Sequence, residues 1–256
     1  MKVGALTKSL AAVATLVIVA PILALLIKVP WSEFFQTLSD LTAIKLSLWT
    51  STFSALIALI LGVPLAWFLS KSSHPITGFI RPLVLAPIVL PPTVAGIALI
   101  ALMGRNGLLG RFIYQITGWS MPFTSSAVVL AGVFVGLPFV TLICESNFRQ
   151  LPKEVEDAAI IDRADCNELF KKIAIPQSRS AITTGGILAW ARALWEFGAT
   201  LMFAGSLPGS TQTWTMLIYQ DLDVDVQSAY VLSALMLIIA ITIVFLLRKP
   251  LKEALR

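Results

Sequence analysis

The stretch AIKLSLWTSTFSALIALILGVPLAWFL, residues 43–69, decides the fold class. It contains a single charged residue, Lys45, and a helix of this length, rising ~1.5 Å per residue, crosses the ~30 Å hydrocarbon core of a membrane. Open strands would leave backbone groups unpaired in lipid, and the sequence lacks the alternating pattern of a membrane barrel. The stretch therefore predicts a membrane-spanning helix.

Five more apolar blocks predict an all-α membrane protein with six transmembrane helices in a single domain, residues 1–256. Only 13% of the residues are charged, about half the ~25% that is typical of a soluble domain, and 57% are hydrophobic. The first block follows two lysines, as a secretion signal would. Because no small-residue cleavage site precedes Trp31, we interpret it as a retained helix. The five blocks are Leu10–Ile27, Pro82–Met103, Thr124–Cys144, Ala181–Phe203 and Ser228–Leu247.

The distribution of basic residues predicts the orientation. With a cytoplasmic N-terminus, fourteen of the nineteen Lys and Arg residues fall on the cytoplasmic side, and Arg192 lies within a helix. This bias predicts a multi-pass membrane protein with both termini in the cytoplasm. The net charge of +5 fits contact with the lipid bilayer; no basic stripe with interleaved aromatics predicts nucleic-acid binding. The four outer basic residues are Lys28, Lys45, Arg105 and Arg111.

The longest predicted connection is a cytoplasmic loop of about residues 146–179, SNFRQLPKEVEDAAIIDRADCNELFKKIAIPQSR. Apolar residues at helical spacing predict two short amphipathic helices; Pro152 fits the first turn of the first, and Pro176 marks the end of the second. A helix pair of this kind is typical of a docking element, and the alternative is a solvated loop lying on the bilayer. The spaced apolar residues are Leu151, Val155, Ala158, Cys166, Leu169, Phe170 and Ile173.

Part of this loop resembles the EAA loop of ABC importer permeases, whose pattern is E-A-A-x3-G-x9-I-x-L-P. The matching residues are Asp157-Ala158-Ala159, then Arg163, then Ile173-Ala174-Ile175-Pro176, and the spacing agrees throughout. Arg163 replaces the turn glycine, so either the turn is shifted or Arg163 itself contacts a partner. The resemblance implies the type I ABC importer permease fold, with coupling helices that insert into a groove on a cytoplasmic ATPase. It also implies a location in the inner membrane of a prokaryote.

The residues that this resemblance assigns to ATPase coupling surround the EAA-like segment. The sequence has no G-x-x-x-x-G-K-[ST] motif, so ATP and Mg would be bound by the partner ATPase, and this chain is predicted to have no cofactor and no catalytic site. The other implied partners are a second copy of the chain, since an ATPase dimer has two equivalent grooves, and an extracytoplasmic oxyanion-binding protein. The coupling residues are Glu154, Glu156, Asp157, Ala158, Ala159, Asp162, Arg163, Leu169, Phe170, Ile173 and Pro176.

Two deep charges and a proline pair mark a candidate gate. Arg192 and Glu196 are four residues apart in the fifth block and can pair on one helix face. The pair either locks this helix against its neighbours or lines the translocation path. Pro91 and Pro92 interrupt the third block or its beginning, which frees backbone carbonyls near a pore.

The segments Leu90–Gly96, Glu196–Gly205 and Pro208–Thr213 resemble molybdate importer permeases. This resemblance implies import of molybdate or its close relative tungstate. It places the translocation path or gate at Pro91, Pro92, Arg192, Glu196, Phe197 and Thr200.

Three alternatives remain open at the level of sequence. A sulfate or thiosulfate importer permease has the same architecture. An ion-coupled secondary transporter would need ionisable relays or broken helices in repeated halves, which one Arg–Glu pair supports poorly. An intramembrane protease would need a serine with a histidine base, but His74 is the sole histidine and falls in a loop. Cys144 and Cys166 have no spacing typical of a metal site.

Overall fold

A computed structural model describes residues 4–37, 41–152, 154 and 165–254. The regular secondary structure of these residues is entirely helical. In chain order the helices are α1 (Ala5–Lys28), α2 (Phe34–Thr37), α3 (Thr42–Lys71), α4 (Thr77–Val89), α5 (Pro92–Met103), α6 (Gly110–Thr117), α7 (Ser125–Arg149), α8 (Cys166–Glu168), a π-helical turn (Leu169–Ala174), α9 (Ile175–Gln177), α10 (Arg179–Leu194), α11 (Gly198–Ala204), α12 (Trp214–Val224) and α13 (Val226–Ala254).

The chain divides into two compact units, Met1–Leu41 with Leu217–Ile243, and Thr42–Met216 with Val244–Arg256. The single domain stays a prediction. The first unit contains α1, α2, most of α12 and most of α13. The second unit contains α3 to α11, and the predicted gate residues and the described coupling residues belong to it.

The first unit is held by a small apolar cluster. Val29, just after α1, packs with Val231 and Ala234 of α13, and Leu26 and Phe34 lie against them. α1 itself has no buried residue, although its sequence is the most apolar of the spans. Such a helix is stable in lipid because its backbone bonds are internal and its side chains suit hydrocarbon.

Four helices of the described chain are long and apolar enough to cross a membrane: α1, α3, α7 and the Val226–Phe245 part of α13. They correspond to the first, second, fourth and sixth predicted spans. The third and fifth predicted spans each consist of two shorter helices, α4 with α5 and α10 with α11. The structure therefore differs from six unbroken spans.

The break in the third span agrees with the proline prediction. The last helical bond of α4 runs from the N–H of Leu90 to the carbonyl of Ala86, at 3.0 Å. Pro91 and Pro92 then offer no N–H, and α5 begins with Pro92, whose fixed φ suits a first helical position.

Small residues bring α3, α7 and α10 close together in the core of the second unit. A Cβ on Gly132 of α7 would lie 2.4 Å from Oγ of Ser54, and one on Gly136 would lie 3.1 Å from the carbonyl oxygen of Ala189. The Ser54 hydroxyl also donates to the carbonyl of Val129 at 2.9 Å, which links α3 to α7. Close backbones with interhelical hydroxyl bonds are how membrane helices associate where lipid removes the hydrophobic driving force.

Two arginines and one glutamate fasten the C-terminal ends of α3 and α7 to α4. Oε1 of Glu145 lies 2.8 Å from Nη2 of both Arg81 and Arg149. The same two guanidinium groups donate to the carbonyl of Leu69, at 3.1 and 3.2 Å, and so satisfy one of the terminal carbonyls that α3 leaves unpaired. The Glu145 side chain is 9% exposed, which makes this three-residue clamp a partly buried ion network.

Replacing the clamp carboxylate should loosen the second unit. Glu145→Gln leaves two adjacent guanidinium groups without their anion and should cost about 1–3 kcal/mol, below the figure for a fully buried pair because both arginines reach solvent. The midpoint of thermal unfolding in detergent measures this. Glu168→Gln is the matched control, since it breaks only the exposed pair with Lys172, and its midpoint should equal that of the unchanged protein. Equal midpoints for both variants would contradict the clamp.

Candidate functional site

The two helix breaks lie next to each other. A Cβ atom on Gly198, the first residue of α11, would lie 2.5 Å from Cβ of Pro92, the first residue of α5. A Cβ on Gly96, one turn later, would lie 2.6 Å from Cβ of Met202. α5 and α11 therefore run in the same direction in close contact, and neither glycine leaves room for a side chain.

This contact gathers the predicted gate residues into one region, although about a hundred residues separate them along the chain. Thr200 is buried within α11, and Phe197 is half-buried just before it. The proline pair is exposed at the start of α5. That this region forms the gate stays a prediction.

Glu196 connects the two halves of the fifth span. Its Oε2 lies 2.5 Å from Nη1 of Arg192, and its Oε1 accepts from the N–H of Ala199 at 2.8 Å. Its backbone carbonyl accepts from the Thr215 hydroxyl at 3.0 Å. Thus one residue neutralises the arginine near the end of α10, satisfies a free N–H at the start of α11 and anchors the start of α12.

The predicted pairing of Arg192 with Glu196 is present, but the two residues do not share one continuous helix. α10 ends at Leu194, so Glu196 lies beyond it rather than on the same continuous helix. The Glu196 side chain is 2% exposed, whereas that of Arg192 is 32% exposed. The pair is therefore asymmetric, because the carboxylate depends on the arginine while the arginine retains contact with solvent.

A buried polar layer surrounds this junction, and the sequence analysis missed it. The N–H of Trp214 donates to Oγ of Ser47 at 2.7 Å, deep between α12 and α3. The Thr211 hydroxyl accepts from the N–H of Leu207 at 3.0 Å and fixes the turn after α11. A usable signal was present, since hydroxyl residues recur at helical spacing in an otherwise apolar α3. These are Ser47, Thr50, Ser51 and Ser54, all buried.

The coupling segment is described only in part. Six of the residues assigned to ATPase coupling, Glu156, Asp157, Ala158, Ala159, Asp162 and Arg163, lie outside the described residues. Glu154 is exposed. The second predicted helix begins with a capping box, in which the Asp165 carboxylate accepts from the N–H of Glu168 at 2.6 Å. The ammonium of Lys172 bonds the Glu168 carboxylate at 2.7 Å, lowering the pKa of Glu168 and raising the pKa of Lys172.

Phe170 packs against the membrane helices of its own chain. Its ring centroid lies 5.5 Å from that of Trp67 on α3 and 6.3 Å from that of Phe148 on α7. Trp67 and Phe148 are themselves in edge contact at 5.3 Å. These three rings, called here the aromatic cluster, join the coupling segment to the ends of two long helices. Leu169, Ile173 and Pro176 are half-buried.

Two details of the predicted segment are wrong. Pro176 does not end the helix, because α9 continues through it, and only a short irregularity at Ser178 separates α9 from α10. The π-helical turn just before Pro176 widens the helix and relieves the clash between a proline ring and the carbonyl four residues earlier. Cys166 is exposed and does not belong to the apolar side.

Comparisons with known proteins identify the family. The family described as "Binding-protein-dependent transport system inner membrane component" matches residues 58–252. The chain belongs to this family. It is 39% identical, over 239 residues, to the protein named molybdenum transport system permease protein ModB of Mycobacterium tuberculosis, an alignment that covers 92% of this chain and 90% of that protein. We refer to the chain as the permease from here on.

Two further similarities bear on function and fold. The permease is 32% identical to the probable sulfate transport system permease protein cysT of Chlorella vulgaris, over 82% of this chain and 80% of that protein. A bacterial alginate ABC transporter, solved with an alginate-bound periplasmic protein, superposes with a TM-score of 0.74 over 95% of this chain and 92% of its own, at 14% identity. At this identity the likeness concerns the fold alone.

These findings confirm the predicted family and the predicted all-α, type I ABC importer permease fold. The permease is an integral protein of the inner membrane, and its family implies a separate ATPase and a substrate-binding protein as partners. The number of spans and the roles of individual residues are not fixed by the comparisons.

The asymmetry of the Arg192–Glu196 pair predicts which substitution lowers the stability of the permease most. Arg192→Gln leaves the buried carboxylate unpaired and should cost about 2–4 kcal/mol, whereas Glu196→Gln leaves a solvent-reaching guanidinium and retains an acceptor for Ala199. The double variant removes both charges and should be less destabilised than Arg192→Gln. Folded yield from membranes and unfolding midpoints in detergent measure all three. Strictly additive effects would contradict a coupled pair.

Proposed function

We propose that the permease imports molybdate, or the closely related tungstate, by alternating access driven by a separate ATPase. The observation that carries this proposal is the 39% identity to molybdenum transport permeases over 92% of the chain. The geometry supports it, because a region of broken helices with one neutralised arginine suits a dianion that must pass without being trapped. Sulfate or thiosulfate import is the second candidate, supported by the 32% identity to a sulfate permease.

The proposed assembly contains two copies of the permease, an ATPase dimer in the cytoplasm and an extracytoplasmic oxyanion-binding protein. Both termini would face the cytoplasm, as the positive-inside bias indicates. ATP and Mg would be held by the ATPase, and the permease itself would catalyse no reaction. Two copies are favoured because a symmetric ATPase dimer presents two equivalent grooves.

The route by which ATPase movement would reach the gate follows from the continuity of the helices. From Cys166 to Leu194 the chain is nearly continuous helix, about 40 Å long at ~1.5 Å per residue. This rod joins the coupling segment at one end to Arg192 and Glu196 at the other. We propose that a displacement of the segment is transmitted along α10 to α11, which lies against α5. The proposed path residues are Pro91, Pro92, Arg192, Glu196, Phe197 and Thr200.

Uptake by reconstituted vesicles tests the substrate. Proteoliposomes containing the permease and its ATPase should accumulate labelled molybdate only with internal ATP and the external binding protein. Unlabelled tungstate should compete at similar concentrations, because both anions are tetrahedral dianions of nearly the same chemistry, whereas sulfate should not. Efficient competition by sulfate, with little molybdate uptake, would instead support the sulfate importer.

Substitution of Phe170 tests the proposed route from the coupling segment to the gate. Because its ring packs on Trp67 and Phe148, Phe170→Ala should leave the ATPase bound but lower the molybdate transported per ATP hydrolysed severalfold, since each aromatic pair contributes about 0.5–1.5 kcal/mol. Phe79→Ala is the matched control, as that ring is 77% exposed on α4, and its transport ratio should be unchanged. Loss of the ATPase from the Phe170→Ala complex would show that Phe170 contacts the partner instead.

A further inference from the structure

A cavity of about 440 Å³ lies at the ends of α5 and α11 that are remote from the breaks. Ile100 and Gly104 line it from α5 and the turn that follows, and Met202 and Phe203 line it from α11. α11 is seven residues long, so the cavity lies roughly 10 Å from the Glu196 junction along the same pair of helices. The predicted gate residues do not line it.

Arg105 gives this cavity a positive charge that is not paired with a carboxylate of the described residues. Its Nη2 donates to the Tyr114 hydroxyl at 2.5 Å, and its guanidinium carbon lies 4.2 Å from the centre of the Tyr114 ring. Both contacts hold the guanidinium in place, yet tyrosine is neutral and leaves its charge intact. The cavity lining contains the Ser120 hydroxyl and no carboxylate.

Three other arginines of this unit are neutralised. Arg81 and Arg149 share Glu145, and Arg192 pairs with Glu196, so each of these faces a carboxylate. Arg111, like Arg105, lies over an aromatic ring, but it does not line the cavity. Arg105 is therefore suited to hold a free anion, for which a fixed guanidinium fork is the best protein donor. The volume equals that of about fifteen water molecules, so a small anion fits with much of its hydration.

The rim of the cavity is built to keep its shape. Phe123, which lines it, has a left-handed φ of 61°, a costly conformation for a residue with a side chain. Its ring lies against Gly205, itself at φ 68°, where an added Cβ would be 2.9 Å from Cδ1 of Phe123. The contact between Phe123 and Gly205 therefore restricts the backbone at both positions.

We infer that this cavity is an oxyanion-binding site, in which Arg105 and Ser120 receive a tetrahedral dianion before it reaches the junction at Glu196. The inference rests on the proposed function, of which it names the first binding step on the permease. An anion held here by one arginine is released towards a junction whose own arginine is already neutralised. Binding of the anion in the cavity and its passage past Glu196 are thereby separate steps.

Equilibrium binding of labelled molybdate to the detergent-purified permease–ATPase complex, without the binding protein, tests the site directly. Arg105→Gln should weaken binding about tenfold or more, since it removes a charge-assisted hydrogen bond, and Arg105→Lys should retain part of the affinity. Arg111→Gln is the matched control; its guanidinium lies over Phe112 and outside the cavity, and its affinity should be unchanged. ATP hydrolysis by every variant shows that the complex is folded.

Three outcomes would decide the matter. Equal molybdate affinity for Arg105→Gln and the unchanged permease, in a complex that still imports molybdate, would overturn the site and leave the proposed function standing. Weakened association with the binding protein, at unchanged anion affinity, would overturn it in favour of a protein-docking arginine. If vesicles import sulfate and not molybdate, the proposed substrate fails, and Arg105-dependent binding of labelled sulfate would still support the oxyanion site.

Discussion

The structure depends on one carboxylate, that of Glu196, which satisfies polar groups that are left unpaired where a helix is interrupted inside the membrane. Ending α10 and starting α11 within an apolar span frees N–H and C=O groups that lipid cannot satisfy. Glu196 supplies an acceptor to Ala199 with one oxygen and a counter-ion to Arg192 with the other. Without this carboxylate, a guanidinium with no counter-ion and an unpaired N–H would coincide near the point where α11 meets α5.

The interruption at Glu196 also permits a close contact between α11 and α5. Gly198 comes directly after the break, and its lack of a side chain allows Pro92 to approach within contact distance. The break therefore has two consequences. It ends α10, and it brings α11 against α5, which itself follows a break. By contrast, α3 and α7 are fastened at their ends by Glu145 and by the aromatic cluster, so rigid and broken elements lie side by side in one unit.

The sequence was a good guide where one local property decides the outcome. Block length and the missing charges predicted the membrane helices, and the absent N–H groups of Pro91 and Pro92 predicted the break before α5. It was a poor guide where the outcome depends on distant partners. The break at Glu196 requires Ala199 and Thr215, and the inward orientation of Phe170 requires Trp67. Spacing alone reported an Arg–Glu pair correctly but placed it on an unbroken helix.

On the proposed translocation path, the strength of electrostatic attraction gives a physical reason to neutralise the charge near the break. A dianion about 4 Å from a lone guanidinium, at an effective dielectric constant of about 20, is held by roughly 8 kcal/mol. Since each 1.36 kcal/mol changes a rate tenfold, such a hold would slow its departure by about a millionfold. Arg105 is exposed, and in water, with a dielectric constant of about 80, the same attraction is only about 2 kcal/mol, which permits release. A carboxylate 2.5 Å from Nη1 of Arg192 removes most of this attraction, because the passing anion then meets a dipole instead of a charge.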